Sequence, residues 1–180
     1  VDRLRELVMY ASRGADKSYR PLQEVDLLLM GDILDLQHST LWLEKKDGTP
    51  NPARPWTDIQ TPEFIATIKN ITADILANNA EAARILKSLT TGKAITLPPA
   101  NRRGAPASMP LARVPVKVKL HYMVGNHDWF YHLPGAEFDA IRRQVIEAFG
   151  LSNHPGPFPH QARESKEIAE NTTVEQLWRA

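Results

Sequence analysis

Val25-Asp26-Leu27-Leu28-Leu29-Met30-Gly31-Asp32-Ile33-Leu34-Asp35 opens with a short apolar run broken only by Asp26. Its brevity and the glycine that follows favour a buried strand over a helix. The chain then leaves that strand through Gly31-Asp32. A second stretch has the same design. Val116, Val118, Leu120, Tyr122 and Val124 alternate with Lys117, Lys119, His121 and Met123, a period of two that describes a strand with one side more exposed. It ends at Gly125-Asn126-His127-Asp128.

Between and around these strands the spacing is helical. Val1, Leu4, Leu7, Val8 and Ala11 make one helical face, with Gly14 as a stop. Residues 44–60 carry Gly48, Pro50, Pro52 and Pro55 and read as loop. Thr61-Pro62 matches an N-cap followed by proline in the first turn. The apolar stripe from Phe64 to Leu89 predicts a helix over 61–91, about 45 Å long at about 1.5 Å per residue, with Gly92 as its stop and Asn78-Asn79 as a place where it can break. Residues 98–110, rich in proline and alanine, read as an exposed loop. Phe138, Ile141, Val145, Ala148 and Phe149 form another helical stripe closed by Gly150, and 153–159 is loop. Residues from Glu164 onward read as weakly helical, and 173–180 as the start of a helix. The order is helix, strand, long helical excursion, strand, helix. That predicts one α/β domain over 1–180 with neighbouring parallel strands and a helical insertion or cap over 42–113.

Composition narrows the function. The 180 residues include 22 Lys plus Arg against 21 Asp plus Glu, and no basic block stands out, so nucleic acid has little support as a partner. The absence of cysteine excludes disulfides, thiolate metal sites and cysteine nucleophiles, and fits a cytoplasmic location. No apolar run reaches the roughly eighteen residues of a membrane span. No Gly-x-Ser-x-Gly elbow is present, and adjacent His127-Asp128 is poor geometry for a serine triad.

In open α/β sheets, ligands bind beyond the carboxyl ends of strands, where both polar clusters lie. A carboxylate, an amide oxygen and an imidazole suit hard or borderline divalent metals. Gly31-Asp32-x-x-Asp35 and Gly125-Asn126-His127-Asp128 together resemble the second and third signature motifs of the calcineurin-like metallophosphoesterases. The resemblance implies a two-sheet sandwich flanked by helices, and hydrolysis of phosphate mono- or diesters at a dinuclear metal centre. The metals it implies are manganese above all, with iron, zinc, nickel and magnesium as alternatives. It makes Asp32 a bridging metal ligand, Asn126 a second ligand, and His127 the substrate-facing acid. Asp128 would orient His127, and Asp35 would support the turn around the ligands.

The family's Asp-x-His and Gly-His-x-His motifs are absent, and Leu36 stands where many members have arginine. The chain therefore reads as a fragment carrying the middle motifs. The alternative is a metallophosphoesterase-like binding or scaffold module without catalysis. Among the remaining side chains, His38 and His121 are expected at the surface, and His132 is a minority candidate for the cleft wall. His154 and His160 are left unassigned. Of Trp129, Phe130 and Tyr131, at least two are expected in the core. Arg102 and Arg103 are expected to be solvated. The 61–91 helix is expected to pack over the sheet, with a dimer contact as a further possibility.

Overall fold

The computed structural model describes residues 1–109 and 112–160. The helical expectations from Glu164 onward lie outside the described residues. The chain runs through α1 (Asp2–Ala11), β1 (Glu24–Met30), α2 (Pro62–Asn78), α3 (Ala80–Leu89), β2 (Thr96–Leu97), β3 (Val114–Pro115), β4 (Lys117–Met123) and α4 (Ala136–Phe149). This is a mixed α/β chain. β1 pairs with β4 in parallel, in a register from Glu24 opposite Lys117 to Met30 opposite Met123. The two motif-bearing strands are therefore direct neighbours that end side by side. β2 and β3 form a separate antiparallel pair.

β4 buries Val118, Leu120 and Tyr122 on one face, the alternation its sequence predicts. β1 departs from its expected burial. Val25, Leu27 and Leu29 are only half-buried, while Leu28 and Met30 are 42% and 73% exposed. The reason is its position in a two-stranded sheet, where one face meets the core and the other has no covering layer among the described residues.

The predicted long helix is two helices. The Thr61 hydroxyl caps α2 by accepting from the Phe64 N–H, and Pro62 sits in the first turn. The break falls at Asn79, which leaves helical geometry (φ −113°, ψ 22°) and donates from its side chain to the Ile75 carbonyl at 2.9 Å. A short amide that bonds the preceding turn competes with helix continuation. Phe64, Ile68, Ile71, Ala83 and Leu89 turn inward, so the stripe is occupied by the chain's own core. α2 and α3 both pack on α4. α4 buries Phe138, Ile141, Val145 and Phe149 and stops at Gly150, whose φ of 69° is left-handed. No helix among the described residues is long and apolar enough to cross a membrane.

The segments leaving the strand ends are anchored by aromatics. Phe130 and Tyr131 are buried. Trp42, Phe64 and Phe130 form a cluster with ring centroids 5.4–6.1 Å apart, and Tyr131 shares a 2.9 Å hydrogen bond with Thr72 of α2. Leu36 is fully buried in the same core.

Candidate functional site

The loops after β1 and β4 interlock. Gly31 continues the ladder by donating to the Met123 carbonyl at 2.8 Å. The chain then turns through three residues of positive φ, Gly31 (64°), Asp32 (49°) and Asp35 (37°). Such backbone is unusual for a side-chain-bearing residue and gathers at functional sites. Gly125 is needed for contact rather than conformation. A Cβ there would lie 2.2 Å from Asp32 Oδ1 and 2.7 Å from the Asp32 nitrogen. Through that gap Asp32 Oδ1 accepts from the His127 N–H at 2.9 Å. The Gln37 N–H donates to the His127 carbonyl at 3.1 Å. One loop thus holds the other from both sides.

Asp128 is fully buried. Its carboxylate accepts from the Ile33 N–H at 3.1 Å, from the Gly125 N–H, and from the Tyr122 hydroxyl. Burial, reinforced by the neighbouring Asp128 charge, pushes the Tyr122 phenol far above its ordinary pKa, so it remains a donor. Asp128 therefore clasps the two loops and the floor of β4.

The contact on the His127 ring comes from Asp35 instead. His127 Nδ1 lies 3.2 Å from Asp35 Oδ1. This corrects the expectation that Asp128 orients His127: the neighbouring side chains diverge, one into the core and one outward. His38 joins the group. The short 3-10 turn Leu36–His38 brings its Nδ1 to 2.9 Å and 3.0 Å from the two Asp35 oxygens, with its ring edge-on to His127 at 4.6 Å. The His38 hydrogen bond, aided by the two nearby imidazoles, holds the Asp35 carboxyl below its ordinary pKa. A carboxylate only accepts, so a hydrogen bond from either ring places its proton on Nδ1 and leaves Nε2 outward.

Asn126 is exposed, and its side chain makes no hydrogen bond among the described residues. It lines a cavity of about 500 Å³ together with Val124, Gly125, Trp129, His132, Leu133, Pro134 and His160. His132 lines this cavity, its Nδ1 2.6 Å from the Phe158 carbonyl and its ring 4.9 Å from that of His160. His121 does not join the site. It sits mid-strand on the open sheet face, half-buried and 2.8 Å from Asp26. Arg102 and Arg103 are exposed in the 98–110 loop, and His154 is exposed beyond α4.

Asp32 and Asn126 offer oxygen donors of the kind the motifs call for. Asp32 uses one oxygen on the His127 N–H and keeps the other without a hydrogen bond among the described residues. Asn126 likewise presents a free amide. Both belong to the oxygen-donor class that hard and borderline cations select. Comparison of the chain with protein-family models, with curated proteins and with solved structures gives no match in any of the three.

Proposed function

We propose that this chain carries the central part of a metal-dependent phosphoesterase site, hydrolysing a phosphate mono- or diester. The supporting observation is the interlock of the two loops at the ends of adjacent parallel strands, with Asp32 Oδ1 on the His127 N–H and Asp35 on the His127 ring. The two-sheet sandwich and the role of 42–113 as a cap belong to the same proposal.

In this reading Asp32 and Asn126 hold divalent metal, manganese foremost. When bound, a pair of such ions polarises the phosphoryl group and lowers the pKa of a water nucleophile. His127 presents Nε2 to the substrate and, as imidazolium, gives its proton to the leaving oxygen. Asp35 fixes the ring. Asp128 keeps the loops in register without meeting substrate. The neighbouring cavity, walled by Trp129 and Leu133, receives the organic part of the ester.

Metal content and turnover of a nitrophenyl phosphate, measured together, test the assignment. Asp32→Asn is expected to weaken metal uptake. His127→Ala is expected to retain metal while lowering turnover by about 10²–10⁴, the usual worth of a positioned acid. Wild-type turnover in His127→Ala contradicts the proposal. Metal-free protein without turnover favours the binding-module alternative.

A further inference from the structure

Asp35, His38 and His127 are brought together by a 3-10 turn and a neighbouring strand end, and they do more than orient one ring. One ligand atom from each lies within 4.8 Å of the others. His38 Nδ1 is 2.9 Å from Asp35 Oδ2, and His127 Nδ1 is 3.2 Å from Asp35 Oδ1. At a tetrahedral zinc ion with ligand bonds of about 2.1 Å, ligand atoms stand about 3.4 Å apart. These two separations are a few tenths of an ångström short of that spacing, so small side-chain adjustments admit an ion. Both imidazoles direct Nδ1 toward the same carboxylate, and a cation between them replaces the protons that now fill the gap.

We propose that Asp35, His38 and His127 form a mononuclear site for a borderline divalent cation, zinc above all, distinct from the metal positions assigned to Asp32 and Asn126. Two imidazoles and one carboxylate are a donor set that zinc accepts, and magnesium and calcium do not favour it. The site is open. The side chains of His38, Asp35 and His127 are 67%, 42% and 30% exposed, which leaves room for water to complete the coordination. Cation binding here does not depend on the phosphoesterase reading.

Zinc titration of the 180-residue chain by calorimetry, with imidazole nitrogen shifts followed by NMR, tests the site. The expected result is that zinc moves the Nδ1 resonances of His38 and His127 and leaves that of His121 in place. His38→Ala, an exposed change that the fold tolerates, is expected to weaken this zinc event more than the roughly 10–100-fold that loss of an outer partner costs at a metal site. Asp32→Asn is expected to leave the event intact, which separates it from the catalytic metals. Unmoved His38 and His127 resonances, unchanged zinc affinity in His38→Ala, or loss of the event in Asp32→Asn each overturns the proposal. Failure of the phosphoesterase reading shows instead as absent turnover in zinc-free wild-type protein supplied with manganese.

Discussion

Replacing Asp128 by alanine isolates the clasp from the chemistry. The substitution removes one carboxylate and leaves three donors behind. The Tyr122 hydroxyl is buried and loses the carboxylate to which it donates, at about 1–3 kcal/mol for an unsatisfied buried donor. The Gly125 N–H is partly buried and the Ile33 N–H lies in an exposed residue. Water replaces part of what they lose, so each adds about 0.5–1.5 kcal/mol. The sum is about 2–6 kcal/mol, a large share of the roughly 5–15 kcal/mol that holds a domain together. Urea unfolding followed by tryptophan fluorescence reads the loss as a lower midpoint at unchanged slope. Tyr122→Phe separates the contributions. On that background the hydroxyl is gone, so Asp128→Ala is expected to cost about 1–3 kcal/mol less than it does in the wild type. If Asp128→Ala unfolds within about 1 kcal/mol of wild type, the clasp contributes nothing and the account given for Asp128 fails.

Other perturbations probe separate parts of the molecule. Gly125→Ala places a methyl group 2.2 Å from Asp32 Oδ1, so it is expected to displace the Asp32 loop, abolish metal uptake and preserve the far-ultraviolet dichroism of the helices; unchanged metal affinity contradicts the close approach. Arg142 is fully buried and donates to the carbonyls of Pro155, Tyr131 and Leu133 at 2.8, 3.0 and 2.6 Å. Arg142→Met is therefore expected to lose about 3 kcal/mol or more in denaturant unfolding. Glu24 receives hydrogen bonds from Lys119 and Lys117, which lower its pKa. A lowered carboxylate pKa stabilises the fold above the ordinary glutamate value of about 4.3, and that contribution disappears as pH falls through the folded value. Glu24→Gln is thus expected to lower the urea midpoint at about pH 6, with a deficit that shrinks as pH falls below the ordinary glutamate range of about 4.3; a deficit that does not shrink with falling pH counts against the ion pairs.

The parts of this fold that sequence makes legible are those with a local cause. Thr61-Pro62 starts α2 because cap and proline act within one turn, and Gly150 ends α4 because a left-handed residue is needed there. β4 is legible from its alternation. β1 is legible as a strand, but its burial is not, because an apolar run reports hydrophobicity and leaves open how many layers cover it. β2 and β3, two residues each, are too short to carry any period, and Pro115 argues against a strand. Within the site, glycine spacing marks the loop tips, but which acid meets His127 depends on how consecutive side chains diverge. Adjacency favours Asp128, and the fold selects Asp35. The spacing of Asp35 and His38 held the missing signal, since residues three apart eclipse in a 3-10 turn.

The three aspartates of the two motifs illustrate how similar residues acquire different roles from their surroundings. Asp128 lies in the core, where its charge is met by two backbone donors and a phenol. A buried carboxylate with three of its roughly four acceptor sites filled is closed off from a cation in solvent, and it holds the loops. Asp35 is partly exposed, and its two oxygens face the Nδ1 atoms of two imidazoles. Asp32 differs from both. It is exposed, it spends one oxygen on a single backbone N–H, and no cationic side chain neutralises it among the described residues. Its backbone is held at positive φ, and Gly125 on the facing loop leaves the space its carboxylate occupies. In the proposed phosphoesterase reading, a carboxylate presented at that conformational cost, with one oxygen unused, is the one that takes the catalytic metal, while Asp35 belongs to the imidazole cluster.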